Sequence, residues 1–295
     1  MPVSIVIPAH NEASVLPRCL DALQQGSSSD DLQIIVVANG CTDDTAELAR
    51  RAGAEAIETD VPSKSNALNL GDAACSHFPR LYLDADCVIF GADVLRLAEE
   101  LETSGRLVAS PSMDVDLRGR SWSVYAFYDV WTSASYVRTN LVGSGAYMLS
   151  EAGRQRFESF PDLTADDAFI RRSFKLDERW LSASTSYRIT PPKDLESLIR
   201  IKTRAHFGNL ELSRLMPELQ TNEVAGEQRQ WTSLLRQALR PWRIPKLAVY
   251  AYVMMRAKRE ARRRNLAGKA VAWERDDSSR QPPAKPSTSS HVAAV

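Results

Sequence analysis

No stretch of this sequence stays apolar long enough to cross a membrane as a helix; its longest apolar run, Leu247 to Met255, is about half of what is needed. Cysteine is scarce, and Cys19, Cys41, Cys75 and Cys87 form no C-x-x-C pair and have no histidine at zinc-ligand spacing. A structural zinc site is therefore excluded, and the four read as reduced, mostly buried thiols. Charge of one sign is not in excess, with 37 Lys plus Arg against 37 Asp plus Glu, so the chain as a whole has no electrostatic draw to nucleic acid and none is expected as a partner. The opening residues, Pro2-Val3-Ser4-Ile5-Val6-Ile7, carry no basic leader ahead of a longer apolar stretch. The folded portion is accordingly expected in the cytoplasm.

What is present is ordinary in amount and informative in order. At 295 residues, 44% hydrophobic and 25% charged, the chain has room for one large α/β domain with appendages or for two small domains. Short apolar runs at 3–7, 34–37, 54–57, 81–83 and 107–110 alternate with helical patterns at 13–25, 43–51, 65–76 and 92–103. That alternation predicts a parallel sheet covered on both faces, with ligands bound beyond the carboxyl ends of its strands. The loops at 9–12, 38–43 and 84–86 then share one edge. After about residue 113 the pattern becomes aromatic, with Trp122, Tyr125, Phe127, Tyr128, Trp131 and Tyr136 close together, and an acceptor-binding half is expected there. From about 234 the chain turns basic and apolar, and from Asp276 it is rich in Ser, Pro and Gln.

Asp84-Ala85-Asp86 closes the run Leu81-Tyr82-Leu83. Two hard oxygen donors held close together suit Mg²⁺ or Mn²⁺, which could in turn grip a diphosphate. A strand end with solvated acids is the competing reading. The pair stands in a series: Val3-Ser4-Ile5-Val6-Ile7-Pro8-Ala9-His10-Asn11-Glu12, Ile35 to Thr45, Lys64-Ser65-Asn66-Ala67-Leu68-Asn69, Leu83 to Asp86, Gly143-Ser144-Gly145 and Ala165-Asp166-Asp167. In this order the motifs resemble those of family 2 glycosyltransferases of the GT-A fold, inverting enzymes that use nucleotide sugars, over roughly the first two thirds of the chain.

The resemblance implies a Rossmann-like, mostly parallel sheet flanked by helices, in a domain over residues 1–232. Its nucleotide-binding half would span about 1–113 and its acceptor half about 114–232. A basic-apolar helical extension would follow over 233–275 and a disordered tail over 276–295. The donor would lie against Pro8, Ala9, Glu12, Asn39, Asp43, Lys64, Asp84 and Ala85. Asp86 would hold Mg²⁺ or Mn²⁺, and Asp167, or its neighbour Asp166, would be the base. Gly143, Ser144 and Gly145 would approach a sugar. In the segment Arg200 to Gly208, Arg204 would grip phosphate, and His206 would complete the metal shell.

Several of these residues have structural readings as well. Glu12, Asp43 and the Asp166-Asp167 pair each suit the first turn of a helix, His206 suits a solvated basic helix, and the glycines suit a plain turn. Ala38 and Asn39 also depart from the family's usual acidic pair, which leaves the nucleotide base open. The chain lacks the Gln-x-x-Arg-Trp of processive synthases, which favours transfer of a single sugar to a hydroxyl acceptor, a glycan or lipid-linked precursor of envelope or exopolysaccharide. A nucleotidylyltransferase would open with a Gly-rich loop bearing Arg and Lys, absent at Pro8 to Glu12. A non-catalytic descendant that binds a nucleotide sugar or a membrane partner is the other alternative. Residues 246–264 combine the apolar run with Arg256, Lys258, Arg259, Arg262, Arg263 and Arg264. They read either as an interfacial helix on an anionic membrane surface, which would put the protein at the inner face of the membrane, or as a packed terminal helix.

Overall fold

The first apolar run continues past Pro8 as strand β1 (Val3–Ala9), buried along its whole length. This is a computed structural model, and it describes residues 1–134, 137–138, 142, 144–222 and 240–267. Gly143, the rest of the expected extension and the 276–295 tail lie outside the described residues. Helix α1 (Leu16–Leu23), β2 (Leu32–Asn39), α2 (Thr45–Arg51), β3 (Glu55–Thr59), α3 (Lys64–Ala74) and β4 (Arg80–Leu83) follow in the expected alternation. Then come β5 (Val88–Ile89), α4 (Gly91–Ser104), β6 (Val108–Val115), α5 (Trp122–Thr132), β7 (Ala146–Leu149), α6 (Glu151–Arg154), α7 (Asp166–Ser173), β8 (Arg179–Ile189), α8 (Leu195–Leu215) and α9 (Ile244–Leu266).

The strands form one sheet in the order β3-β2-β1-β4-β7-β6-β8-β5. The first four are mutually parallel, as the sequence pattern predicts. Beyond them β7 runs antiparallel between β4 and β6, and β5 antiparallel to β8. The sheet is therefore mixed, and it draws strands from both of the expected halves. β1 shows how it is covered. Ile5 and Ile7 face a cluster with Leu16, Leu20, Val94 and Leu97 of α1 and α4, while Val6 faces the other side with Leu68, Tyr82, Phe160 and Phe169. This is the period-two alternation of a strand buried on both faces.

On the second side, buried Asp72 accepts from Arg80 Nη1 at 2.7 Å and Arg154 Nε at 2.8 Å, and from the Tyr82 hydroxyl, so one carboxylate ties α3 and β4 to α6. All four cysteines are free thiols.

The aromatic segment becomes α5, and with α8 and α9 it forms a third cluster around Phe127, Leu198, Tyr250 and Val253. The terminal helix thus packs on the domain through Tyr250, Val253, Ala257 and Ala261. Its opposite face stays exposed. No helix among the described residues is long and apolar enough to cross a membrane.

Candidate functional site

Parallel β1, β2 and β4 all end on one edge, so the loops after them meet there. After β1, Asn11 takes a left-handed φ of 54°, and its Oδ1 accepts from Thr42 N at 2.7 Å. In return, Asp43 accepts from Ala13 N and from Thr45 N, both at 3.1 Å, and Thr45 Oγ1 accepts from Glu12 N at 2.8 Å. Asp43 therefore fastens two loops to each other. Glu12 is buried at the same junction. Asn39 lies beneath the edge, fully buried, with its amide donating to Ala9 O at 2.9 Å and Val37 O at 3.3 Å. It ties β2 to β1 from inside, a different placement from the base contact expected of it.

The chemistry gathers at the ends of β4, α3 and α7. Ser63 caps α3 by accepting from Asn66 N, which starts the helix at Lys64. From there Lys64 Nζ reaches Asp84 Oδ1 at 2.7 Å and Asp166 Oδ2 at 2.8 Å. Burial opposes the charge on Lys64, but the carboxylates of Asp166, Asp84 and Asp167 outweigh it and hold the ammonium well above the ordinary lysine range.

Asp167 follows on the first turn of α7. Its Oδ1 is sealed from solvent without a hydrogen-bond partner among the described residues. Burial first, then repulsion from Asp166, pushes its carboxyl up to about 8, partly offset by Lys64. A carboxylic acid pushed upward in this way, at the carboxyl-end edge of the parallel strands, has the chemistry of a proton acceptor.

Two close contacts set this geometry. Gly145 carries a left-handed φ of 88°, its carbonyl accepts from Asp84 N at 2.8 Å, and a Cβ there would come within 2.9 Å of Cys87 Sγ. Ser144 accepts from the Tyr187 hydroxyl through its carbonyl. Gly145→Ala should lower stability by about 1–3 kcal/mol in a urea melt, because strain and overpacking add at one position; an unchanged midpoint would mean that the loop yields freely. Gly208 of α8 meets Ala165, just before Asp166, where a Cβ would stand 2.6 Å from the alanine side chain. One turn later Glu211 accepts from Thr164 N at 2.9 Å. Arg204, half-buried, lies one turn before Gly208 on the same side of the helix.

His206 is placed apart from the carboxylates. The charges that act on it are those of Lys258 and Lys202, and together with burial, the larger influence, they push its imidazole down to about 4. Among the described residues no three His, Cys, Asp or Glu side chains form a ready metal cage.

The sequence does not single out Arg18, whose Nη2 donates to Asp86 O at 3.1 Å and steadies the backbone of the expected metal ligand. The two are 68 residues apart, and only the α1 face could have hinted at it.

Comparison with known proteins places these motifs in a family. The family described as "Glycosyl transferase family 2" matches residues 4–174, more than half of the chain. An uncharacterized glycosyltransferase of Mycobacterium tuberculosis is 33% identical over 106 residues, 36% of this chain and 46% of that protein. A glycosyltransferase of Haloferax volcanii, AglE, is 33% identical over 92 residues, 29% of this chain and 30% of that protein. The match thus spans less than half the length of these relatives. Among solved structures, a mannosyltransferase from Pyrobaculum calidifontis aligns over 91% of this chain and 88% of its own, with a TM-score of 0.62 and 18% identity. Glucosyl-3-phosphoglycerate synthase from M. tuberculosis aligns over 72% of this chain and 79% of its own, with a TM-score of 0.51 and 20% identity. These likenesses establish the fold, which is GT-A, as the motifs imply.

Proposed function

Since the chain belongs to glycosyl transferase family 2, we propose that it transfers a single sugar, with inversion, from a nucleotide-diphospho-sugar to a hydroxyl acceptor. The observation that carries the reading is Asp167, half-buried, with its Oδ1 sealed from solvent and unpartnered among the described residues, set beside the Lys64, Asp84 and Asp166 cluster at the strand ends. Inverting transfer requires a carboxylate within hydrogen-bond reach of the acceptor hydroxyl, on the side opposite the leaving group. Asp167 Oδ1 takes that proton. Asp166 stays paired with Lys64 and is the weaker choice for the role.

The donor lies along the loops of Pro8, Ala9, Glu12, Asp43, Asp84 and Ala85, with Lys64 and Arg204 toward its phosphates. Asn39 supports this surface from below. Ser144 and Gly145 border the sugar through backbone.

The residues present suit a divalent ion. Mg²⁺ is commonly held by one or two carboxylates, with substrate phosphates and water completing the shell, so a full cage of protein ligands is not required. Asp86 would hold it. When bound, the ion would stabilise charge developing on the departing nucleoside diphosphate. The neighbours support this chemistry, one being a complex with GDP-Man and Mn²⁺ and another with UDP and Mn²⁺.

A lipid-linked or glycan acceptor, as in envelope or exopolysaccharide synthesis, suits the surface beside the site. On α9, exposed Met255 (64%) shares a side with exposed Arg259 and Arg262, opposite the packed face, and Trp242 (72% exposed) lies in the turn before the helix. Exposed apolar side chains near exposed arginines fit peripheral attachment to anionic lipid, at the inner face of a membrane.

The test is a panel of GDP- and UDP-sugars with Mg²⁺ or Mn²⁺, read as release of nucleoside diphosphate. Turnover of at least one donor, abolished by EDTA, is expected. If no donor is turned over and Asp86→Ala leaves donor binding unchanged, the protein is a non-catalytic binder.

A further inference from the structure

Of the run Lys64 to Asn69 the chemistry above uses only Lys64. Ser65, Asn69 and, one turn on, Asp72 follow the i, i+4, i+7 spacing that puts them on one side of α3, and that side meets the segment leading to Asp167. Residues 155–165, between α6 and α7, form neither helix nor strand, so their backbone groups depend on side chains for partners wherever they are buried. At Phe160, whose ring is buried edge-on against Tyr82, one side-chain amide serves both backbone groups: Phe160 N donates to Asn69 Oδ1 at 2.8 Å, and Asn69 Nδ2 donates to Phe160 O at 2.9 Å.

The contacts run in register. Asp72 binds Arg154, whose guanidinium donates to Phe157 O at 2.7 Å and to Glu158 O at 3.2 Å. Asn69 then holds residue 160, Ser65 Oγ donates to Asp162 Oδ1 at 3.0 Å, and Lys64 reaches Asp166. The segment therefore travels back along α3 toward its N-terminus, held about once per helical turn, until α7 begins at Asp166. From the other side Glu211 holds Thr164 N, and Gly208 packs on Ala165. The Asn69 contact fixes donor and acceptor of one residue together, so it sets both the place and the orientation of residue 160.

We propose that Asn69 is a positioning residue for the base: by holding residue 160 against α3 it fixes where α7 starts, and with it the place of Asp167 relative to Lys64, Asp84 and a bound acceptor. The role of base rests on the transferase reading; the clamp itself is tested without turnover. Asn69 acts through the backbone and takes no part in the proton transfer. A misplacement of about 1 Å at the reacting groups can cost roughly a hundredfold in rate, so a pair of hydrogen bonds seven residues before the base is able to govern it. Were Asn69 only a partner for buried backbone, its loss would lower stability and leave Asp167 where it is.

The experiment is a double-substitution cycle of Asn69→Ala and Asp167→Asn, read by urea denaturation above pH 8 and near pH 4. Burial, Asp166 and Asp84 oppose the charge on Asp167, while Lys64 and Arg171 favour it. Burial is the largest of these, so a freed segment lets the carboxylate ionise at less cost. Above pH 8 the stabilisation by Asp167→Asn should therefore fall to about half or less in the Asn69→Ala background, whereas independent sites would add. Near pH 4, with the carboxyl protonated, the two should add. Additivity at both pH values would overturn the proposal. Ser65→Ala, which deletes a single hydrogen bond on the same side of α3, takes the place of Asn69→Ala if that variant does not fold. Once a donor is known, Asn69→Ala should lower kcat by about tenfold to a hundredfold with donor KM little changed. Ile5→Val, a core change on the other face of the sheet, should keep the wild-type kcat although it also destabilises the fold. An unmoved kcat in Asn69→Ala would also overturn the proposal. Coupling in the cycle with no donor turned over would support the clamp and count against the transferase reading alone.

Discussion

Asp167→Asn is expected to lower sugar transfer by roughly 10²–10⁴-fold, the usual worth of a general base, and at the same time to make the protein more stable. The two effects have one origin. Burial and the neighbouring Asp166 resist a charge on Asp167 and push its carboxyl up to about 8, from an ordinary value of 3.8. Between those values the folded chain keeps a proton that the unfolded chain has released, so stability falls as pH rises from about 4 to about 8. Asparagine has no proton to lose. The gain in melting temperature of Asp167→Asn over wild type should therefore be absent near pH 4, grow across that interval and level off above it.

Activity follows the opposite trend, because only the ionised carboxylate can take the acceptor's proton. For the free enzyme kcat/KM should climb with pH through about 8. Donor affinity, measured by calorimetry, should change little in the variant. Retained transfer in Asp167→Asn, or a melting-temperature difference independent of pH, would remove Asp167 from the role of base.

The features legible in the sequence share a cause, which is locality. Val3–Ala9, Leu32–Asn39 and Arg80–Leu83 are apolar on both faces, so composition alone marks them as central strands and places Asp84 to Asp86 just outside the sheet. The start of α7 at Asp166 is equally local, since its acids favour a helix N-terminus whatever else they do. What escaped depends on contacts distant in sequence. The four residues Ala146–Leu149 do not say which way they run, and only pairing with β4 and β6 makes β7 antiparallel. Asn39 reads as a ligand contact because its motif resembles the family's nucleotide-binding one, yet its side chain is drawn inward by the Ala9 carbonyl 30 residues away. His206 lies in a basic stretch in which the resemblance implies a metal role for it, but the packing of α8 on α5 and α9 sets it near Lys202 and Lys258.

Lys64→Met should be the most damaging change at the site for stability, at about 3–5 kcal/mol, the range for removing one partner of a buried ion pair. Lys64 is the positive group shared by Asp84 and Asp166, and its side chain is only 20% exposed. Without it Asp84, Asp166 and Asp167 would lose the cation that pairs with two of them, and their repulsion would be offset far less, Arg171 still acting on Asp167. The loss should depend on pH in a defined direction. Lys64 itself is held well above its ordinary range and stays charged throughout the neutral region, so the change comes from its partners. As pH falls through about 8, Asp167 takes up a proton and part of the repulsion is relieved, so the difference from wild type should be smaller at pH 6 than at pH 9. Urea denaturation at those two pH values measures it. Addition of Mg²⁺ to the variant supplies a second check: Asp84 and Asp166 without their lysine form a stronger cation site than the same pair bound to it, so Mg²⁺ should raise the variant's melting temperature more than the wild type's. A loss under about 1 kcal/mol at both pH values would place Lys64 among solvent-screened surface pairs, and Asp84 and Asp166 would then have to be held apart by the fold alone.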